Sequence, residues 1–509
     1  RPEAGGFSHE PATILALQRL ERHEAAMLLA ELAADRVLEP EVARNILDRA
    51  EGMPLYVEEL TRAVLAGPAH GGGVAGTPQT PAVPVTLQGS LLARLDRLPG
   101  AKDVAQIGAV IGREFRRDVL VAATGMPDRL IGPALHRLVD AGLLARNDAE
   151  AGESYAFRHA LLADAAYDTL LRSRRRELHA QVARALEGSF PEIGADYPEV
   201  LAHHCALAGM AGDAVRYRCR AGERAAQRFA NVEALEHYRH AVALLPELPA
   251  GPARERTELT IRTAMGALLM AAKGYSAPEV RQAYDRAHEL CLAVDAQPAL
   301  FPVLFGLSLY YLVRSELRAA RPLVARCLVA ARTAGDPDLM IEACCVAGPA
   351  EVYRGRFVAA RRVLDRGLAL YRPERHREHA ARYGQDPMLA LGFIARVEAM
   401  LGRPDRARLR SAELLAWLRS SDEQPNSIAI LHAQLAHAHL LLREPVPALE
   451  QAEATVAVAS RHGLPLWLGL GRMYRGAALV ESGLTAGDPA TIRHGLADGA
   501  EGSALYQTT

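Results

Sequence analysis

Apolar residues recur along most of the chain at intervals of three and four, the spacing that gathers them on one face of an α-helix. Thr13-Ile14-Leu15-Ala16-Leu17 leads to Leu20, and Ala26, Leu28, Leu29 and Leu32 follow at helical spacing. A second helix is predicted from Pro40 through Val42, Ile46 and Leu47, with Gly52 closing it. Pro54 opens a third, where its fixed φ suits a first turn, and Val57, Leu60 and Val64 form its apolar stripe. Residues 67–85 are a Gly/Pro-rich run that can hold no regular element and read as a linker.

Residues 86–190 change character. Helices are predicted at Leu87–Leu98, Lys102–Ile111, Arg117–Ala123 and Asp128–Ala141. Leu143-Leu144-Ala145-Arg146 and Tyr155-Ala156-Phe157-Arg158-His159 then flank the polar turn Asn147–Glu153. Two short runs around such a turn predict a β-hairpin behind a three-helix core, the outline of a winged helix. Further helices are expected at Ala160–Leu171 and Arg174–Leu186.

From residue 191 to 509 only helices separated by short Gly, Pro or Asp turns are predicted. Ala234-x3-Tyr238-x2-Ala241 has the small-aromatic-small spacing of a tetratricopeptide second helix. Gly355-Arg356-Phe357-x2-Ala360-x3-Leu364-x2-Gly367 repeats it, and looser copies carry Ala320, Ala407 and Ala448. The anchors at 320, 360, 407 and 448 are 40, 47 and 41 residues apart, longer than a strict 34-residue repeat. Small residues at fixed sites let paired helices approach, and stacking buries what no pair buries alone. The expected fold class is therefore mainly α, with a winged-helix module carrying one small β-hairpin and a tetratricopeptide-like α-solenoid after it. Both ends look cut, and the last pair, from Pro465, has no closing cap.

Composition adjusts this picture only slightly. At 509 residues several cores are needed, and 50% apolar with 23% charged residues excludes wholesale disorder. Lys and Arg number 59 against 60 Asp and Glu, which disfavours a dedicated nucleic-acid or membrane-surface binder. Six cysteines make neither a disulfide framework nor a CxxC zinc pair, and read as buried small hydrophobes in a reducing, cytoplasmic compartment. From Ala296 to Val313 there are 18 residues without charge, but Pro298 and Pro302 leave only about eleven residues beyond the second proline. That stretch predicts a buried solenoid helix rather than a membrane span.

Catalytic signatures are missing. The two lysines, Lys102 and Lys273, fit no GxxxxGK[ST] phosphate loop. His23-Glu24-Ala25-Ala26-Met27 fails HExxH at its last position, and no GxSxG occurs. His237 with His240, and His376 with His379, could share helix faces but lack further ligands, while the consecutive His203-His204-Cys205 cannot converge on one ion. No metal and no catalytic residue is expected. The run Arg172, Arg174, Arg175, Arg176 invites a phosphate-backbone reading, yet residues 86–188 hold 15 Lys and Arg against 13 Asp and Glu. A net of +2 is thin for DNA, so a solvated helix start or an internal salt-bridge network is preferred.

Three stretches together carry a resemblance. Asp48-Arg49-Ala50-Glu51-Gly52-Met53-Pro54-Leu55-Tyr56-Val57-Glu58-Glu59-Leu60 resembles the GxPL segment in the lid of STAND-class signalling ATPases, relatives of the AAA proteins. Leu87–Leu98 with Ala105–Phe115, closed by Phe157–Tyr167, is similar to the winged-helix module after that lid. Lys273–Val280 and Tyr383–Pro387 resemble the tetratricopeptide half of large bacterial proteins in which a class III adenylate/guanylate cyclase domain precedes the ATPase. The resemblance implies a lid at 1–66, the linker at 67–85, the winged helix at 86–190 and the repeats at 191–509. It further implies a switch operated by ATP or ADP, with Gly52, Pro54 and Leu55 on the adenine side and a protein or small ligand on the repeats. The P-loop, the magnesium-holding strand and the cyclase aspartates are not in this span, so nucleotide and cyclase chemistry is implied for a parent protein only. A non-enzymatic interaction scaffold is the competing reading, and a DNA-binding activator a third. The ligand sensed and the oligomeric state stay open.

Overall fold

The computed structural model describes residues 18–34, 36, 38–65, 87–98, 100–149, 152–372, 387–420 and 425–507. The apolar run at 13–17, the linker at 67–85, His376, His379 and residues 383–386 lie outside them. The fold is mainly α, with twenty-five α-helices and one three-stranded sheet among the described residues. The chain divides into two compact units, residues 1–195 with 207–209, and residues 196–206 with 210–509.

The first unit opens with α1 (Arg22–Ala33), α2 (Pro40–Ala50) and α3 (Pro54–Leu65). Their apolar stripes meet in a small core of Ala25, Leu29, Val42, Ile46, Val57, Leu60 and Val64. Then come α4 (Leu87–Asp96), α5 (Lys102–Ile111), β1 (Glu114–Arg116), α6 (Arg117–Thr124) and α7 (Asp128–Asp140). The unit continues through β2 (Leu144–Ala149), β3 (Gly152–Phe157), α8 (Ala160–Asp168), α9 (Arg172–Ser189) and the short α10 (Pro191–Asp196).

The sheet is antiparallel in the order β1-β3-β2, with Phe115 opposite Tyr155 and Arg146 opposite the same tyrosine on the other side. The sequence predicts a two-stranded hairpin, so β1 is an addition. Three residues are too few to show an alternation, and what fixes this strand is tertiary. Phe115 stacks on Tyr155 with ring centroids 6.1 Å apart, and its ring fills the notch that side-chain-less Gly108 leaves on α5. β2 and β3 also run further into the predicted polar turn than the hydrophobic pattern suggests, because ladder hydrogen bonds continue where side chains no longer need burial.

One buried ion pair ties α3 to α4. Glu59 is fully buried, and its carboxylate accepts from the Arg94 guanidinium, which also donates to the Ala141 carbonyl at 2.6 Å. Arg62 stands 3.7 Å away as a second cation.

The second unit is a succession of helices joined by tight turns: α11 (Pro198–Leu207), α12 (Ala211–Gln227), α13 (Asn231–Leu244), α14 (Pro252–Lys273), α15 (Pro278–Ala293), α16 (Gln297–Val313) and α17 (Leu317–Ala334). It goes on with α18 (Pro337–Tyr353), α19 (Phe357–Leu370), α20 (Leu389–Met400), α21 (Pro404–Ser420), α22 (Pro425–Leu441), α23 (Pro445–His462), α24 (Pro465–Ala486) and α25 (Pro489–Gln507). Proline opens α14, α15, α18 and each of α21 to α25, where its missing N–H costs nothing. From α12 onward consecutive helices pack as pairs and pairs stack on pairs. The anchor alanines 234, 241, 320, 360, 407, 448 and 452 are all buried at these contacts. Gly355 and Gly402 sit in the turns between the helices of their pairs at φ 72° and 71°, a left-handed conformation that glycine adopts without strain.

The uncharged stretch is α16, a buried solenoid helix as predicted, but it does not begin after Pro302. It starts at Gln297 and runs through that proline. Losing one backbone hydrogen bond is offset by burying Phe301, Val303, Leu304 and Phe305 around it. No helix among the described residues is long and apolar enough to cross a membrane. Five of the six cysteines are buried and Cys219 is partly so, all as free thiols.

The last pair is drawn together by glycine. A Cβ on Gly476 would come within 2.5 Å of the Gly495 carbonyl oxygen, and one on Gly495 within 2.6 Å of that of Gly476. About two turns further along, a Cβ on Gly502 would meet the Gly469 carbonyl at 2.7 Å. Backbone lies directly on backbone along this seam.

Candidate ligand-binding cavity

Within the helical stack lies a cavity of about 270 Å³. Its helical lining comes from the first helix of five successive pairs (α16, α18, α20, α22 and α24), joined by Tyr506 of α25. Residues spaced by one turn line it, such as Cys345, Pro349 and Tyr353 on α18, or Leu466, Leu470 and Tyr474 on α24. Five first helices converging on one space make them the inner layer of the stack and the second helices the outer one. Tyr275, in the turn after α14, closes one side.

The walls are aromatic and aliphatic, with a few polar groups fixed by their neighbours. Asn426 bridges two of the rings: its amide donates to the Tyr275 hydroxyl at 3.2 Å, and its Oδ1 accepts from the Trp467 indole at 2.7 Å. Tyr275 and Trp467 themselves meet edge to face, 6.2 Å between centroids. Burial pushes the Tyr275 hydroxyl up to about 12, so it stays a neutral donor and acceptor. The Tyr474 hydroxyl lies 3.2 Å from Nδ1 of His437. Burial first, and the Arg396 charge second, depress His437 to about 4, which leaves its ring neutral near pH 7. Tyr474 is raised to about 12 by burial.

Arg396 is the one charged side chain among the described residues that line the cavity. Its guanidinium donates to Oε1 of Gln434 at 2.9 Å and lies over the Phe393 ring, 5.2 Å from the centroid. Neither partner carries a charge. The arrangement can take up an apolar body with one anionic group.

The residues named by sequence stand elsewhere. Gly52 is left-handed at φ 73°, and a Cβ there would press to 2.3 Å from the Leu20 carbonyl oxygen. Its own carbonyl accepts from the Leu20 amide at 2.7 Å, which clamps the turn. Pro54 follows as the exposed first residue of α3, with Leu55 partly buried beside it. The three thus form one rigid turn with an apolar surface. His237 contacts Arg218 at 3.3 Å and Glu233 at 3.8 Å, and no group of three His, Cys, Asp or Glu gathers among the described residues to hold a metal. Of the arginine run, Arg174 pairs with Glu177, Arg175 with Asp168 and the Tyr167 ring, and Arg176 with the Ala208 carbonyl. That is the internal network the sequence prefers.

Sequence reasoning missed the cavity. Its one local signal is Arg396 inside the apolar run Leu389–Met400, a cation where the helix pattern calls for a core residue.

No protein-family model matches the chain. It is 25% identical over 462 residues to an uncharacterized protein of Rhizobium meliloti (strain 1021), a match covering 87% of this chain and 43% of that protein. The chain therefore spans less than half the length of this curated relative. Among solved structures it is similar to a Signal Transduction ATPase with Numerous Domains protein carrying a tetratricopeptide repeat sensor, from Pyrococcus horikoshii. That match has 13% identity and a TM-score of 0.34, covering 96% of this chain and 72% of that one. It is also similar to the apo form of RapI (10% identity, TM-score 0.40, 82% and 98% covered). A Rap protein complexed with Competence and Sporulation Factor matches at 10% identity and TM-score 0.45, covering 82% and 99%.

Proposed function

We propose that this chain is the sensing and coupling part of a nucleotide-operated signalling protein of the STAND class. The stacked helix pairs take up a ligand. The helices of residues 18–65 and the winged-helix module after them couple its presence to ATP or ADP held by a P-loop domain of the parent protein, and a linked class III cyclase is the output.

The observation that carries this reading is the cavity, because five successive pairs contribute to it. A ligand there touches helices of most of the array at once and can bias their relative packing, which is what a sensor requires. The turn at Gly52, Pro54 and Leu55 supports the coupling half: clamped to Leu20, it offers rigid apolar surface suited to the flat face of adenine. The Glu59–Arg94 pair makes α3, which carries that turn, and α4 respond together.

The test uses the full-length parent. ATP or ADP should co-purify with it, and Leu55→Asp should strip the nucleotide while leaving the repeats folded. A parent that retains no nucleotide and hydrolyses none would overturn the coupling reading and leave an interaction scaffold.

A further inference from the structure

We propose that the inner cavity binds a small monocarboxylate with an apolar body of about phenyl size, its carboxylate held by Arg396. This deepens the reading of the repeats as the ligand-sensing part and names the chemistry sensed.

The anion follows from what Arg396 lacks. A guanidinium offers five N–H donors in a planar fork that fits a carboxylate two bonds at a time. Here one bond goes to the neutral Gln434 amide oxygen, and no carboxylate lies against the group among the described residues. Nearby Glu398 is engaged instead by Arg361 and Arg403, on the far side of its helix. A half-buried cation with no counterion among the described residues is costly, and Gln434 and the Phe393 ring fix the group in place as if to receive one.

A single negative charge follows from the neighbours. Among the described residues His437 is the other titratable nitrogen in the lining and is neutral near pH 7, so these residues present one positive charge to the cavity. A phosphate dianion would bring a second charge that nothing there balances. Size and walls give the rest. About 270 Å³ is at or below the small end of ligand pockets, roughly 300–1,000 Å³, and is too little for a helix or a run of peptide. Trp467, Tyr474, Phe393 and Tyr506 around it favour a flat or branched apolar body.

The structure also supplies the reporter. The chain has two tryptophans, and Trp417→Phe leaves Trp467, in the cavity wall, as the sole indole. In that background the 509-residue chain is titrated with 3-phenylpropionate, its uncharged amide 3-phenylpropionamide, and phenyl phosphate, following indole emission. The acid should give a saturable change, with the amide weaker by about tenfold or more, as expected for losing a charge-assisted pair. Arg396→Met should abolish the preference for the acid, and Arg396→Lys should keep it. If Arg396→Met does not fold, the acid-to-amide ratio of the parent chain and the lysine variant decide. No saturable response to the acid, equal binding of acid and amide, tighter binding of phenyl phosphate, or an unchanged preference in Arg396→Met would each overturn the proposal. Acid binding without nucleotide in the full-length parent would sink the coupling reading alone. Nucleotide retention without acid binding would sink only this one.

Discussion

Tyr284 fills a slot that Gly306 leaves open: a Cβ on Gly306 would come within 2.2 Å of the tyrosine ring. Gly266 makes the opposite wall, where a Cβ would reach 2.4 Å. The ring of α15 is thus held between α14 and α16, and no volume is spare on either side. Gly306→Ala should destabilise the second unit by about 1–3 kcal/mol through overpacking. Urea unfolding followed by circular dichroism reads it, and an unchanged midpoint would mean the ring moves freely.

The glycine seam of the last pair is less forgiving. At Gly476 the obstacle is the carbonyl of Gly495, part of a helix backbone that cannot swing aside as a side chain can. Gly476→Ala should therefore cost at least as much as Gly306→Ala, at or above about 3 kcal/mol. Because α24 carries Trp467 and Tyr474, the same variant should also alter Trp467 emission without any ligand.

Arg94→Met should be among the most damaging single changes in the first unit. It leaves the fully buried Glu59 carboxylate with Arg62, at 3.7 Å, as its remaining cation among the described residues. Breaking one side of a buried pair costs about 3–5 kcal/mol. The double variant Glu59→Leu, Arg94→Met should recover most of that loss. Thermal unfolding of the four members of the cycle measures it, and additive losses would show that the two side chains do not act as a pair.

His437 gives the stack an acid limit. The folded state holds its ring near 4, against 6.5 for an ordinary histidine. Between those values the unfolded chain binds the extra proton, so the contribution is full above pH 6.5 and is lost as pH falls toward 4. The shift corresponds to about 3 kcal/mol. Unfolding of the parent chain and of His437→Gln at pH 7.5, 6.0 and 5.0 should show a shallower decline in the variant.

What could be read in advance was what repeats locally. Ala320, Ala360, Ala407 and Ala448 announce helix contacts because a small residue at a fixed place in each second helix does one geometric job, and all four are buried. The helices of 87–186 were legible for the same reason, with ends off by a few residues. β1 was not, since Phe115 is extended by partners 40 residues away. Pro302 misled because a proline's local cost says nothing of the core that absorbs it. The cavity was beyond reach for a plainer reason: its lining is drawn from residues 275 to 506, and no window of sequence contains it. The turn at Gly52, Pro54 and Leu55 is legible as a turn because a glycine just ahead of a helix-opening proline marks one.

The bond between Asn426 and Tyr275 joins residues 151 positions apart. An ordinary stack of repeats is a row of dominoes, in which order spreads from any nucleus and a weak tile stays a local fault. Here the row is fastened back on itself. Closing a loop of that length costs roughly 4 kcal/mol of chain entropy before any contact repays it, so the fastening forms late and folding is slower than for an open array. Once made, it links the turn after α14 to α22 and α24, so that freeing Tyr275 gives up its bond to Asn426 and its ring contact with Trp467 together.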